Sequence, residues 1–188
     1  MNKKLLAIIG AIVLVVVILV SASVGTYNSI VELEATVTEK KSEISTQLQR
    51  RNDLIPNLVN TVKGYAAHES EVYTAIADAR SKLAGASTFD EMGSASSELS
   101  SALSRLLAVV ENYPDLESNT NFMALQDELA GTENRLAQAR NMYNEAAKNF
   151  NTKIKKFPGN IIAGIFGFEK VEFFEAQEGA EDAPEVGF

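Results

Sequence analysis

A chain of 188 residues, 46% of them apolar, is long enough for one domain with a buried core plus extensions. It has no cysteine, which excludes disulfides, thiolate metal sites and a cysteine nucleophile. The net charge of −8 is uneven: seven acids (Glu169, Glu172, Glu175, Glu178, Glu181, Asp182, Glu185) crowd residues 169–188 beside one base, Lys170, so the body is near neutral and lacks the basic face that nucleic acid demands.

The first element is apolar. Lys3 and Lys4 precede the uncharged run Leu5–Val20, Ser21–Gly25 prolongs it, and the next charge is Glu32. A helix over residues 5–25 spans about 31 Å, the thickness of a bilayer's hydrocarbon core. Backbone in lipid must pair its own polar groups, so the run must be helical. A cleaved signal peptide would also have a basic start, an apolar centre and small residues such as Ser21-Ala22-Ser23 at the cut. The length of the run and its Val and Ile content favour a retained transmembrane helix. The flanking lysines put the short N-terminus, residues 1–4, in the cytoplasm and the bulk of the chain outside.

Beyond Gly25 the periodicity is helical. Ile30, Leu33, Val37, Ile44 and Leu48 recur at three, four or seven residues. A second stripe, Val59, Val62, Ala66, Tyr73, Ile76 and Leu83, follows Pro56. Proline removes a ladder hydrogen bond and clashes with the preceding turn, so the chain either kinks there or reverses at Asn52-Asp53. Gly85–Ser87 interrupts the pattern, and Thr88-Phe-Asp-Glu91 has capping-box spacing. Leu99, Leu103, Leu106, Leu107 and Val110 mark a third helix, which Pro114 ends. In the fourth, Phe122, Leu129, Leu136, Tyr143, Phe150 and Phe157 each follow the last by seven, the period of knobs-into-holes packing, with Leu125, Ala139 and Ala146 at companion positions.

The fold class expected is all-α: an N-terminal transmembrane helix, then an antiparallel four-helix bundle with long, coiled-coil-like helices over residues 26–157. The apolar segment 158–176 folds back over the bundle end or, alternatively, presents Ile161, Ile165, Phe166 and Phe168 to a partner or a lipid surface. The acidic tail 177–188 has no core pattern and is expected to be disordered.

Reactive constellations are missing. His68-Glu69 would need histidine at position 72 to form a zinc-protease motif, and that residue is Val72. One histidine cannot supply the paired Glu-x-x-His sets of bundle di-iron sites. No GxSxG or GxGxxG occurs, and Ile165-Phe166 stands where the Lys-Ser/Thr pair of a phosphate loop would be. No cofactor, metal or catalytic residue is expected. The candidates are structural. Arg50, Arg51 and Asp53 either form a solvated helix end, with Asp53 capping the next helix, or form fork-type pairs with Asp53 or a glutamate on a facing helix. Pro56 marks the junction of two helical stripes. Tyr113, Pro114 and Asp115 set a turn, and Phe157 opens the apolar C-terminal segment.

The text LQRRNDLIPNLVNTVKGYAAHE at 48–69, ENYPDL at 111–116, ENRLAQARNMYNEAAKNFN at 133–151 and FPGNIIAGIFGF at 157–168, with Tyr27-Asn28, Ala79-Arg80 and Phe122–Leu125, resembles the LemA family. The resemblance implies a single N-terminal membrane helix, an all-helical domain and no established enzymatic activity. It also implies a short N-terminus facing outward, opposite to the lysine-based orientation. The acidic tail lies outside these motifs. The resulting expectation is a cell-membrane, single-pass scaffold or interaction protein of the bacterial envelope. Its partners would be the lipid bilayer, further copies of itself and other envelope proteins. The alternative is a membrane-surface effector that inserts residues 161–174 into lipid.

Overall fold

The computed structural model describes residues 3–174, with side chains from Ala7 onward. Residues 1–2 and 175–188 lie outside the described residues, and with them the expected disordered tail 177–188. Among the described residues six helices follow one another: α1 Lys3–Lys63, α2 Ser70–Gly85, α3 Phe89–Val110, α4 Pro114–Glu117, α5 Thr120–Lys155 and α6 Gly159–Phe166. No strand occurs among the described residues. The chain forms two compact units: one holds residues up to Lys40 with Tyr143–Phe173, the other Lys41–Met142 with Phe174.

α1 is a single helix that passes through Pro56 without reversing. Of the two expectations, a kink at Pro56 or a reversal at Asn52-Asp53, the reversal is excluded. Proline costs one hydrogen bond and a local clash. Against that, Leu48, Ile55, Leu58 and Val62, at spacings of seven, three and four, are all buried on one face across the proline. That apolar face is worth keeping continuous, since each fully buried side chain contributes roughly 1.5–3 kcal/mol.

The stripe read from Val59 to Leu83 is not one helix. It breaks over residues 64–69, where the Tyr65 and Ala66 amides both donate to the Val62 carbonyl, each at 2.9 Å. The buried Tyr73 hydroxyl then donates to the Ala66 carbonyl at 2.7 Å, stitching α2 to the turn. Lys63 Nζ lies 5.0 Å above the Tyr73 ring.

The start of α3 follows its sequence. Thr88 Oγ1 accepts from the Glu91 amide at 3.2 Å, and Glu91 Oε2 accepts in return from the Thr88 amide at 3.1 Å, a reciprocal capping box. α3 stops at Val110, and Pro114 occupies the first position of α4, where its missing N–H costs nothing. Asn119 Oδ1 accepts from the amides of Asn121 and Phe122 and so caps α5.

The unit containing Lys41–Met142 buries Ile44, Leu48, Ile55, Leu58 and Val62 of α1, Ile76 of α2, Leu99 and Leu106 of α3, Leu116 of α4, and Phe122 and Leu136 of α5. Leu107, expected in this core, is instead exposed, because Leu103, Leu106 and Val110 already fill the inward arc of α3. The other unit buries Ile30 and Val37 of α1, Tyr143, Phe150 and Ile154 of α5, and Ile162 and Ala163 of α6. The sevenfold row on α5 holds through Phe150, with Leu129 half-buried, but Phe157 is 80% exposed and lies past the helix end. Pro158 steers the residue before it out of helix, which ends the row there.

Candidate functional site

Two places concentrate side chains that bulk packing does not explain. The first is a buried charge cluster in the unit built from Lys41–Met142. Arg51 is only 5% exposed and lies inside α1, about three turns before its C-terminal end. Its Nη1 lies 2.7 Å from Glu133 Oε2 and 3.3 Å from Ser96 Oγ, and its Nη2 donates to Ser100 Oγ at 3.0 Å. Arg140 Nη2 reaches the same Ser96 Oγ at 3.2 Å. The Arg140 guanidinium also stacks 4.7 Å from the ring centroid of Phe174, which packs edge-on against Phe89. One hydroxyl and one carboxylate thus serve two cations, Arg51 buried and Arg140 half-buried. Among the described residues neither Arg51 Nε nor Arg140 Nε finds an acceptor. Burial lowers the pKa of both guanidiniums; Glu133 pushes both back up, and Arg51 further depresses Arg140. Guanidinium stays protonated in proteins even so, which leaves this cluster no proton to exchange near neutral pH. What it can do is fix the relative register of α1, α3 and α5, since the hydrogen bonds of Arg51 and Arg140 run between helices.

Beside Arg51 opens a cleft of about 430 Å³, floored by Leu58, Leu103, Leu107 and Leu129 and rimmed by Glu133. Its size matches small-ligand sites. Its charged rim is already internally paired, and it contains no histidine. His68 is exposed in the turn before α2, outside this cleft. Among the described residues no group of three or more His, Asp or Glu could hold a metal ion.

The remaining sequence candidates separate. Arg50 is exposed and pairs with Glu128 at 2.7 Å, and Arg135 reaches the same carboxylate at 3.1 Å. These two arginine contacts lower the Glu128 pKa, Arg50 foremost. Asp53 is exposed and accepts from Gln49 Nε2 at 2.8 Å, one turn back in the same helix. The solvated-helix-end reading of Arg50–Asp53 therefore does not hold, because α1 continues to Lys63. Pro56 is half-buried within α1. Tyr113, Pro114 and Asp115 form the entry to α4, with the Tyr113 carbonyl accepting from the Leu116 amide at 2.9 Å. Ser96, Ser100, Glu133 and Arg140 escaped sequence reasoning. Ser96 and Ser100 lie one turn apart in a serine-rich stretch that reads as solvated, and Arg140 lies among polar residues.

The second place is α6 in the other unit. Ile162 and Ala163 face inward, while Phe157, Ile161, Ile165 and Phe166 are 80%, 51%, 68% and 58% exposed. The rings of Phe166 and Phe168 pack against Tyr27 at centroid distances of 4.6 and 5.9 Å, and Phe168 meets Phe150 at 6.5 Å. Gly167, at φ 77°, ends α6 in the left-handed conformation, and the amides of Gly167 and Phe168 both return to the Ala163 carbonyl.

The sequence model described as LemA family matches residues 40–188 of this chain, most of its length. The chain belongs to the LemA family. The match begins after the apolar run and extends through the acidic C-terminus, so that tail, expected to fall outside the resemblance, is inside the matched span. Among relatives, magnetosome protein MamQ 2 of Paramagnetospirillum magneticum is 30% identical, over 92% of this chain and 72% of its own length. MamQ of Magnetospirillum gryphiswaldense is 28% identical, over 84% of this chain and 67% of its own. Protein LemA of Metamycoplasma hominis is 26% identical, over 82% and 71%. For a LemA-family chain, α1 supplies one helix long and apolar enough to cross a membrane.

Proposed function

We propose that this LemA-family chain is a single-pass, membrane-anchored scaffold or interaction protein that self-associates and catalyses no reaction. One observation carries the reading. The first part of α1 is intensely apolar and wholly unburied, yet continues without a break into a helix whose later turns form a core. A large uncovered apolar helix demands an apolar solvent, and a bilayer supplies one. Ser23 and Thr26 fit this reading, since their hydroxyls bond the Leu19 and Ala22 carbonyls one turn back and leave no polar group unpaired.

The body as an antiparallel four-helix bundle is supported by the sevenfold row on α5 and by the Arg51 and Arg140 ties among α1, α3 and α5. With Arg51 and Arg140 engaged in ties, the body offers surfaces rather than reactive groups. The lysines at positions 3 and 4 support an extracytoplasmic body that meets copies of itself and other envelope proteins.

Intact cells expressing the full chain test this. Alkaline carbonate washing should leave the polypeptide in the membrane pellet, and cross-linking should give dimers or larger species. Release by carbonate would remove the anchor, and a strict monomer would remove self-assembly. Single cysteines at Asn2 and Ser42, labelled in turn by an impermeant thiol reagent, report which side the body occupies.

A further inference from the structure

Outside the apolar run of α1, four exposed large apolar side chains, Phe157, Ile161, Ile165 and Phe166, lie within ten residues of one another, on and beside α6. Monomeric surfaces rarely leave such a patch open to water. Its position says what covers it. Tyr27 lies two residues past Gly25, the last residue of the expected transmembrane span, hence about 3 Å further along α1. That is headgroup depth, where tyrosine collects at membrane interfaces. The Phe166 ring centroid is 4.6 Å from that of Tyr27, so α6 is pinned at the same depth. Two inward residues, Ile162 and Ala163, hold α6 to the protein while Ile161 and Ile165, one turn apart, point away from it.

From this geometry we propose that α6 is an interfacial foot. Its Ile161, Ile165 and Phe166 face enters the outer part of the leaflet from which α1 emerges. The occupant of the patch is therefore lipid, not a partner helix. The attachment is driven by apolar burial. In the chain, Lys153, Lys155 and Lys156 precede α6 and Glu169, Lys170 and Glu172 follow it, a mixed set of charges that suits zwitterionic as well as anionic headgroups. Two attachments, a spanning helix and a foot beside it, fix the tilt of the unit that carries them, which a lone spanning helix does not.

This rests on the anchored reading of α1, and the test separates the two. The native chain has no cysteine, so Leu14→Cys, Ile165→Cys and Ala35→Cys each accept one environment-sensitive fluorophore. The full-length protein is reconstituted in phosphatidylcholine vesicles, with or without lipid brominated near the headgroup or deep in the chains. Probes at positions 14 and 165 should be quenched, 165 several-fold more by the shallow bromine than by the deep one, while 35, further along α1, stays unquenched. Quenching at 14 without quenching at 165 would overturn the foot and leave the anchor standing. No quenching at 14 would overturn both. All three positions are exposed in the protein, so labelling need not disturb its folding.

Discussion

Asn151 and Val171 exchange two hydrogen bonds: Asn151 Nδ2 donates to the Val171 carbonyl at 2.8 Å, and the Val171 amide donates to Asn151 Oδ1 at 2.9 Å. A buried side-chain amide thereby does for an extended segment what a neighbouring strand would do, satisfying both backbone groups of one residue. Tyr143, two turns earlier on α5, donates its hydroxyl to the Glu172 carbonyl at 2.8 Å. Burial first, then Glu172, hold that phenol above its ordinary pKa, so it remains a donor at any physiological pH. The residues after α6 are thus strapped to α5 through backbone. Asn151→Ala should cost about 1–3 kcal/mol by orphaning two groups. Asn151→Asp should be at least as harmful, because it keeps the acceptor but sets a carboxylate against a carbonyl. Hydrogen exchange at the Val171 amide reads the strap directly. Unchanged protection in Asn151→Ala would refute it.

The Arg51 cluster makes a graded prediction. Arg51→Ala removes contacts to Ser96, Ser100 and Glu133 together and leaves a hole, at a cost of about 2–4 kcal/mol. Arg51→Lys should recover only part of this, since one ammonium cannot reach three acceptors as a planar fork does. Glu133→Gln should cost less, about 1–2 kcal/mol, because Glu133 is partly solvated and the figures for sealed pairs do not apply. Denaturant unfolding of the full chain in micelles ranks the three. Equal stability of Arg51→Lys and wild type would show that the fork geometry is not used.

Two glycines near α6 differ in kind. A Cβ at Gly159 would collide with the backbone carbonyl of Lys153, so Gly159→Ala must push the α5–α6 corner apart, at roughly 1–3 kcal/mol. Gly167→Ala meets no neighbour but forces alanine to φ 77°, at about 1 kcal/mol. By contrast Gly164→Ala, where a Cβ meets open space inside α6, should be neutral or slightly stabilising. Thermal midpoints of the three variants give this order directly, and a Gly159→Ala protein as stable as Gly164→Ala would count against the corner.

Much of this architecture could be read from residue order alone, where the causes are local. The apolar run, the Thr88–Glu91 box, the Pro114 entry and the sevenfold row to Phe150 depend on neighbours within a turn or two. Whether the chain runs on through Pro56 or reverses before it was not legible, because a local steric cost is set against the burial of Ile55, Leu58 and Val62 by residues distant in the chain. Nor were Ser96, Ser100 and Glu133 as partners of Arg51, Arg140 as a second donor to Ser96, or Asn151 as a clamp on Val171. Polar residues in polar stretches read as solvated, and only tertiary packing turns them inward. Phe157 is the converse: its spacing belongs to the buried row, but the proline after it removes the helix that would carry it inward.

Acid should probe the exposed carboxylates. Glu91 accepts from Ser87 and Thr88, and Glu128 pairs with Arg50 and Arg135; both are held below the ordinary glutamate value of 4.5. A carboxylate whose pKa is lower folded than unfolded stabilises fully above the unfolded value and loses that contribution as pH falls through the folded one. Stability attributable to this pair should therefore be complete at pH 7 and decline below about pH 4.5. The Glu91→Gln/Glu128→Gln double variant should be less stable than wild type at pH 7 and lose less on acidification, so that the two melting curves converge at low pH. Melting midpoints of both proteins across that range provide the measurement. A constant offset at every pH would mean that the glutamates act through packing or geometry and not through charge.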